Sequence, residues 1–396
     1  MLGEWFNTIA LFFLILKYTD SEFLLGVLFT VRMLSFALLQ PVIGLLADRY
    51  NRKTLMIVSN LLQSVLALGF LLVDGPEDMV WMLALSGLMM VLHGGYMTAE
   101  RAALPNVVHP DDLATANALD AASWSTALCL GAMLGGIVVS LWGVNAAFII
   151  DSVTFLIGTL FLIPLTLPQE RDESMNGPLM STAFLNIKKG WKRIRSEPQL
   201  FRIVFAKASW NIAGGGLAGV YLVLMGANIT GFGAAFGFGL FFFARGIGTG
   251  LGPIIARNVF TNSSRWPSLV GQLIVASGFF YLMVGLTLDI SLWLTVILVI
   301  IAHSASGANW VLSTILTQQW VEDEIRGRVF STDMLILSLA FSLSTSAAGY
   351  LMEYTELSMR NGIVIFASLM MLSGLIFTMW KTEQNPGQEA IASLQR

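Results

Sequence analysis

The sequence predicts an all-α membrane protein of twelve transmembrane helices, arranged as two related sets of six. Three observations carry this. Of 396 residues, 56% are hydrophobic and 12% charged, whereas soluble domains average about 25% charged residues. The apolar residues also run on: between Leu113 and Leu167 the only charges are Asp120 and Asp151, between Lys207 and Arg257 only Arg245, and between Arg265 and Glu322 only Asp289. Finally, the second half echoes the first. A shift of 213 residues carries Arg32 onto Arg245, Gly94 onto Gly307, Asp120 onto Asp333 and Gly136 onto Gly349, and a shift of 212 carries Pro41 onto Pro253. Charges inside spans are rare and costly, so two matched at one offset point to a repeat.

A crossing helix needs about 20 apolar residues. Spans are placed near 1–17, 24–47, 54–73, 79–99, 113–140, 144–167, 201–227, 233–256, 267–286, 292–319, 329–352 and 359–380. The long runs are too long for one crossing and suffice for two, divided by Gly, Asn or Trp at short turns. Membrane β-strands are excluded, because the segments are about twice the length a barrel strand needs. The first span is short: its apolar run, Trp5–Leu16, has 12 residues and no basic leader. The true start is therefore expected upstream; a first helix flush with the interface is the alternative.

Loops after even-numbered spans hold Arg49, Arg52 and Lys53, then Arg101, a cluster from Arg171 to Arg202, Arg257, Arg265, Arg326 and Arg328. Loops after odd-numbered spans hold mainly acids, among them Asp20, Asp74, Glu77, Asp78, Asp289 and Glu356. Lys and Arg mark the cytoplasmic side, so both termini are expected there, in the cell (inner) membrane. Pro168–Pro198 breaks the pattern with ten charges in 31 residues. Within it Met180, Phe184, Ile187, Trp191 and Ile194 recur at helical spacing beside Lys188, Lys189, Lys192, Arg193 and Arg195, an amphipathic helix suited to an anionic membrane surface; a solvated linker is the alternative. The expected organisation is a six-helix bundle over 1–167, a cytoplasmic linker over 168–200, a second bundle over 201–380 and a tail over 381–396.

The loop after span two reads Gly44-Leu-Leu-Ala-Asp48-Arg49-Tyr-Asn-Arg52-Lys53. It resembles the signature loop of the major facilitator superfamily, and that resemblance implies a transporter in which Gly44, Asp48, Arg49, Arg52 and Lys53 gate the change between inward- and outward-facing states. Asn51 stands where the family carries Gly; Asn tolerates left-handed backbone next best. Arg101–Pro105, Leu113–Leu119, Phe148–Leu156 and Gly214-Gly-Gly216 are similar to the macrolide-exporter and enterobactin-exporter branch, whose members carry further residues ahead of the Gly-acidic-Trp that Gly3-Glu4-Trp5 resembles. Gly131, Gly135 and Gly136 resemble an antiporter motif, with Ala132 in place of its Pro; a helix-packing face explains them equally well.

The resemblance implies that spans 1, 4, 7 and 10 line a cavity. They offer Trp5 and Asn7, His93 and Tyr96, Trp210 and Asn211, and His303, Asn309 and Trp310. Rings with isolated polar groups suit an amphipathic ligand; packing is the alternative for each ring. Glu4 and Asp151 are the proton-coupling candidates, Asp151 also being a candidate for a structural pair with Arg32. Arg32 and Arg245, and Asp120 and Asp333, are candidates for matched ion pairs or gate contacts. Three scattered histidines and the lone Cys129 give no metal site, and there is no nucleotide-binding loop. No cofactor is expected, and energy comes from a gradient, expected to be of protons. A net charge of −3 argues against a nucleic-acid partner. The leading expectation is a monomeric, non-enzymatic exporter of amphipathic small molecules by proton antiport. A lysophospholipid flippase or siderophore exporter is the runner-up, and a membrane sensor or scaffold the reading from another class.

Overall fold

The computed structural model describes residues 2–109, 112–167, 179–229 and 233–380, and among these every regular element is helical. The helices are α1 (Leu2–Thr19), α2 (Glu22–Arg49), α3 (Arg52–Gly69), α4 (Met79–Val107), α5 (Leu113–Leu162), α6 (Leu179–Ser196), α7 (Pro198–Gly216), α8 (Leu222–Ala227), α9 (Ala234–Val259), α10 (Trp266–Thr287), α11 (Leu292–Trp320), α12 (Asp323–Tyr354) and α13 (Met359–Met379). Ten stretches are long and apolar enough to cross a membrane. One of them, Ala122–Leu162, has 41 residues and folds into two limbs at Gly143, where φ is 80° and ψ 175°. Only glycine adopts such backbone readily. With α1, the twelve expected crossings are accounted for.

α1, which carries Glu4, Asn7 and Lys17, is not one of those ten stretches. Its middle, Phe6 to Ile15, is buried almost throughout, Asn7 included, while Glu4 is half-buried one turn earlier and Lys17 is exposed near the helix end. The chain reverses at short capped turns. Ser21, Ser291 and Ser358 each accept from the backbone N–H three residues on, which satisfies one of the free donors at a helix start. Asn51 does the same for Thr54 at 3.0 Å, with φ −62° and ψ 119°. The left-handed backbone expected there is absent: this position caps α3 instead of turning the chain, and Asn is among the best residues for that.

Within the first half α1 packs on α5, α2 on α4, and α3 on both α4 and α5; within the second, α9 packs on α11, α10 on α11 and α13, and α7 on α12 and α13. The most extensive pairings between the halves are α2 with α12 and α5 with α9, and α1 also meets α9. The side with the loops after odd-numbered spans is called here the acidic face, and the opposite side the basic face. The closest approaches between the halves lie toward the acidic face. A Cβ on Gly26 would meet the Thr345 carbonyl group, with its carbon at 3.0 Å, and one on Gly349 would meet the Glu22 carbonyl. On the other seam Gly136 would meet the Ala235 carbonyl oxygen at 2.6 Å and Gly239 that of Ala132 at 2.7 Å. Between these seams sits an aromatic plug: Phe12 lies 5.2 Å from Phe29, 5.4 Å from Phe242 and 6.2 Å from Phe238, and Phe29 lies 6.2 Å from Phe341. The acidic face is closed.

Candidate functional site

Polar side chains buried in an apolar bundle need partners, and in the first half they find them around one carboxylate. Glu4, one turn into α1, receives Arg32 of α2 at 3.4 Å and lies 3.2 Å from Nδ1 of His93 on α4. Arg32 also donates to Ser86 at 3.2 Å and to Thr8 at 3.2 Å. Asp151, on the second limb of α5, is 0% exposed, and neither of its carboxylate oxygens has a hydrogen-bond partner. Gly3 is what admits it: a Cβ there would lie 2.6 Å from Asp151 Oδ1. The expected Arg32–Asp151 pair therefore does not form, because Glu4 takes the guanidinium and Asp151 is left without a cation, with the Asn7 amide as its polar neighbour.

The second half is built differently. Arg245, the repeat partner of Arg32, donates to the Ala218 carbonyl at 3.0 Å rather than to a carboxylate. That carbonyl belongs to Leu217–Tyr221, a π-helical turn between α7 and α8; such turns displace the regular hydrogen-bond ladder, recur at functional sites and leave carbonyls for side chains to take. His303 bonds the Tyr281 hydroxyl at 2.7 Å, and Trp210 Nε1 donates to Ser277 at 3.3 Å. Lys207 of α7 and Asp333 of α12 form a buried ion pair, each 3% exposed, and Lys207 Nζ stands 5.7 Å from the Trp310 ring. Lys207 escaped the sequence reading, although a lysine six residues inside a span carried the signal. Asp120 and Asp333 are not matched in surroundings: Asp333 is buried on Lys207, while Asp120 is half-buried, within electrostatic reach of Glu100 and Tyr96.

Twelve crossings, a seam closed on one face and an intramembrane polar cluster in each half describe a carrier. The family model for the Major Facilitator Superfamily matches over residues 1–302 and 263–396, which together span the chain. The chain belongs to the Major Facilitator Superfamily. A putative bacilysin exporter from Bacillus subtilis is 22% identical over 346 residues, covering 87% of this chain and 84% of that one. An uncharacterised transporter of the superfamily from Mycobacterium tuberculosis is 23% identical over 369 residues, covering 88% and 80%. Among solved structures, a bacterial homologue of the human lysosomal transporter Spinster superposes with a TM-score of 0.73 at 16% identity, over 96% of this chain and 93% of that one. A peptide transporter of the POT family gives 0.70 at 14% identity, over 97% and 96%. The protein is thus a multi-pass membrane transporter and not an enzyme. The relatives do not single out the macrolide or enterobactin branch.

Of the superfamily's signature loop, Arg52 donates to the Ala102 carbonyl at 2.7 Å and Lys53 to the Ile163 carbonyl at 2.6 Å. These two cations hold the start of α3 to the last turns of α4 and α5, where the helix dipole is negative. The side chains of Gly44, Asp48 and Arg49 lie outside the described residues. The glycine motif splits its duties: Gly131 and Gly135 receive α1, with 2.8 Å to the Leu2 carbonyl oxygen and 3.0 Å to Phe6 Cα, while Gly136 receives α9 across the seam. Among the expected cavity residues, Asn7, His303 and Asn309 are sealed in packing, a correction that follows from their helices' tight neighbours. Trp5 is wedged 5.8 Å from Phe242. His93, Tyr96, Trp210 and Asn211 are half-buried, and Trp310 is 44% exposed although it lies beside a buried ion pair.

Proposed function

We propose that the protein exports amphipathic small molecules by exchanging them for protons, with Asp151 as the proton carrier and Glu4 as the switch that holds or releases Arg32. The observation that carries this is the Asp151 carboxyl, buried without a cation. An ionised carboxylate buried without a partner costs several kcal/mol, so Asp151 holds a proton in this state while the adjacent Glu4 keeps the cation. Ionisation of Asp151 draws Arg32 from Glu4, and α1, α2 and α5 must then rearrange together. The printed name of the Bacillus relative, an exporter, supports the outward direction. The half-exposed Trp310 with Trp210 and Asn211 supports an amphipathic ligand. The basic loops support cytoplasmic termini, so that the closed acidic face is external and the site opens to the cytoplasm. The domain division is that of the sequence: two bundles joined by a cytoplasmic linker.

The test uses everted membrane vesicles from cells expressing the full chain, loaded with a fluorescent lipophilic cation under an imposed proton gradient. Accumulation should collapse with an uncoupler. Asp151→Asn should abolish gradient-driven accumulation while retaining ligand exchange without a gradient. Gradient-driven accumulation at the wild-type rate in Asp151→Asn would remove Asp151 from the coupling.

A further inference from the structure

The transport cycle proposed above leaves helix α6 without a task, yet its surface is sorted into three strips. At about 100° per residue, Ala183, Ile187, Gly190 and Ile194 fall on one strip, and this one faces protein. Ala183 and Ile194 are buried, the Ile187 carbonyl accepts from Thr332 at 3.2 Å, and a Cβ on Gly190 would meet the Arg328 carbonyl of α12. The next strip, Phe184 and Trp191, is 74% and 37% exposed. Beside it run Arg195, Lys188 and Lys192, all exposed. Lys189 lies on the far side of the helix from the aromatic pair.

The height of this surface is fixed by two contacts. The Trp191 ring lies 6.2 Å from that of Phe205, two turns into the crossing that begins at Pro198, which puts the exposed aromatics at the edge of the bilayer. Arg193 pins the same helix to the corner between α11 and α12, donating to Glu322 at 2.9 Å and to the Trp320 carbonyl at 2.9 Å. Aromatics at the membrane edge flanked by cations are the composition of a helix lying in the headgroup layer.

We infer that α6 is a binding site for anionic phospholipid: Phe184 and Trp191 enter the interface, and Lys188, Lys192 and Arg195 take headgroup phosphates. Its attachment to α12 through Gly190 and Arg193 makes the bound lipid part of the seam-forming helix's support. The inference stands independently of proton coupling.

The experiment places the purified full chain in nanodiscs of phosphatidylcholine with or without phosphatidylglycerol. Retained lipids are counted by native mass spectrometry, and tryptophan quenching by brominated phosphatidylcholine is compared between wild type and Trp191→Phe. A basic residue at an anionic surface contributes about fivefold in affinity, so the triple variant Lys188→Gln/Lys192→Gln/Arg195→Gln should retain phosphatidylglycerol about a hundredfold less well, while Lys189→Gln changes little. The three side chains are exposed, and an unchanged elution profile checks the fold. Wild-type phosphatidylglycerol retention in the triple variant, or a Trp191 emission component that brominated lipid leaves unquenched, would overturn the assignment.

Discussion

Replacing Gly26 by alanine should open the acidic face. The glycine lies on α2 against the backbone of α12, and a Cβ there would stand 3.0 Å from the Thr345 carbonyl carbon and 3.2 Å from Ser346 Cα, closer still to the Thr345 oxygen. Backbone atoms of a packed helix cannot rotate aside as a side chain does. To restore ordinary separations of about 3.5–4.0 Å, α2 and α12 must part by roughly 0.5–1 Å, and the aromatic plug loosens with them. Overpacking of this kind costs about 1–3 kcal/mol. The cost applies only while the two helices are in contact; in a state where they separate, the methyl group has room. The ratio of closed to open molecules should therefore fall about 5- to 150-fold. The assay is pulsed electron–electron double resonance on a Cys129→Ser background, with spin labels at Glu77→Cys and Glu356→Cys, exposed positions on the acidic face in opposite halves. Gly26→Ala should add a population at longer distance. A folded variant with the parent distance distribution would show that the Gly26 contact does not distinguish the two states, and the reasoning from close approach would fail.

Three further outcomes are expected. Lys207→Ala should strand Asp333 as an unpaired buried charge and cost about 3–5 kcal/mol, whereas Lys207→Met with Asp333→Leu should recover most of that; equal thermal unfolding of the single and double variants in detergent would refute the pairing. Gly143→Ala has free space around it but a φ of 80°, so it should destabilise by about 1–3 kcal/mol, while Gly327→Ala, equally uncrowded but inside α12, should be neutral or stabilising by up to about 1 kcal/mol. The Arg193 hydrogen bond holds the Glu322 carboxyl below the usual carboxylate range. Its contribution is thus complete above the ordinary glutamate pKa of about 4.3 and lost as pH falls through the lowered native value. Loosening of the α6 corner, read by hydrogen exchange at Arg193–Glu197, should set in only as pH falls below about 4.3, and onset near neutrality would contradict it.

Most of the fold was legible because a bilayer imposes one length on every crossing and punishes every exposed backbone group. Apolar run length and loop charge therefore sufficed for the crossings, down to the bend at Gly143. The site was legible only in part. Glu4, Arg32 and His93 stood out as ionisable groups inside spans, but which carboxylate Arg32 would take depends on how α1 lies against α5, and that is set by Gly3, a residue with no charge to announce it. Asn7 and Asn309 sit on helices expected to line a cavity yet are buried in packing, since a span number fixes a helix and not its rotation. Lys207 is in plain view but has no charged repeat partner to mark it.

That mismatch bears on how the two halves share the work. Repetition gives Arg32 and Arg245 the same place in equivalent helices, and yet one meets a carboxylate and the other a π-turn carbonyl. Among the described residues, the first half sets the half-buried Glu4 and the buried Asp151 around one arginine, while in the second the buried Asp333 is already matched by Lys207. A cluster with an acid to spare can take up and lose a proton without stranding a cation. A matched pair cannot, because protonating Asp333 would leave the Lys207 ammonium buried alone. On the proposal above, the excess acid places the proton step in the first half and leaves the second with a matched ion pair beside the Trp310 ring. The repeat supplies the symmetry needed for two halves to rock against each other, and on the proposed function the loss of that symmetry at a few side chains separates coupling from substrate binding.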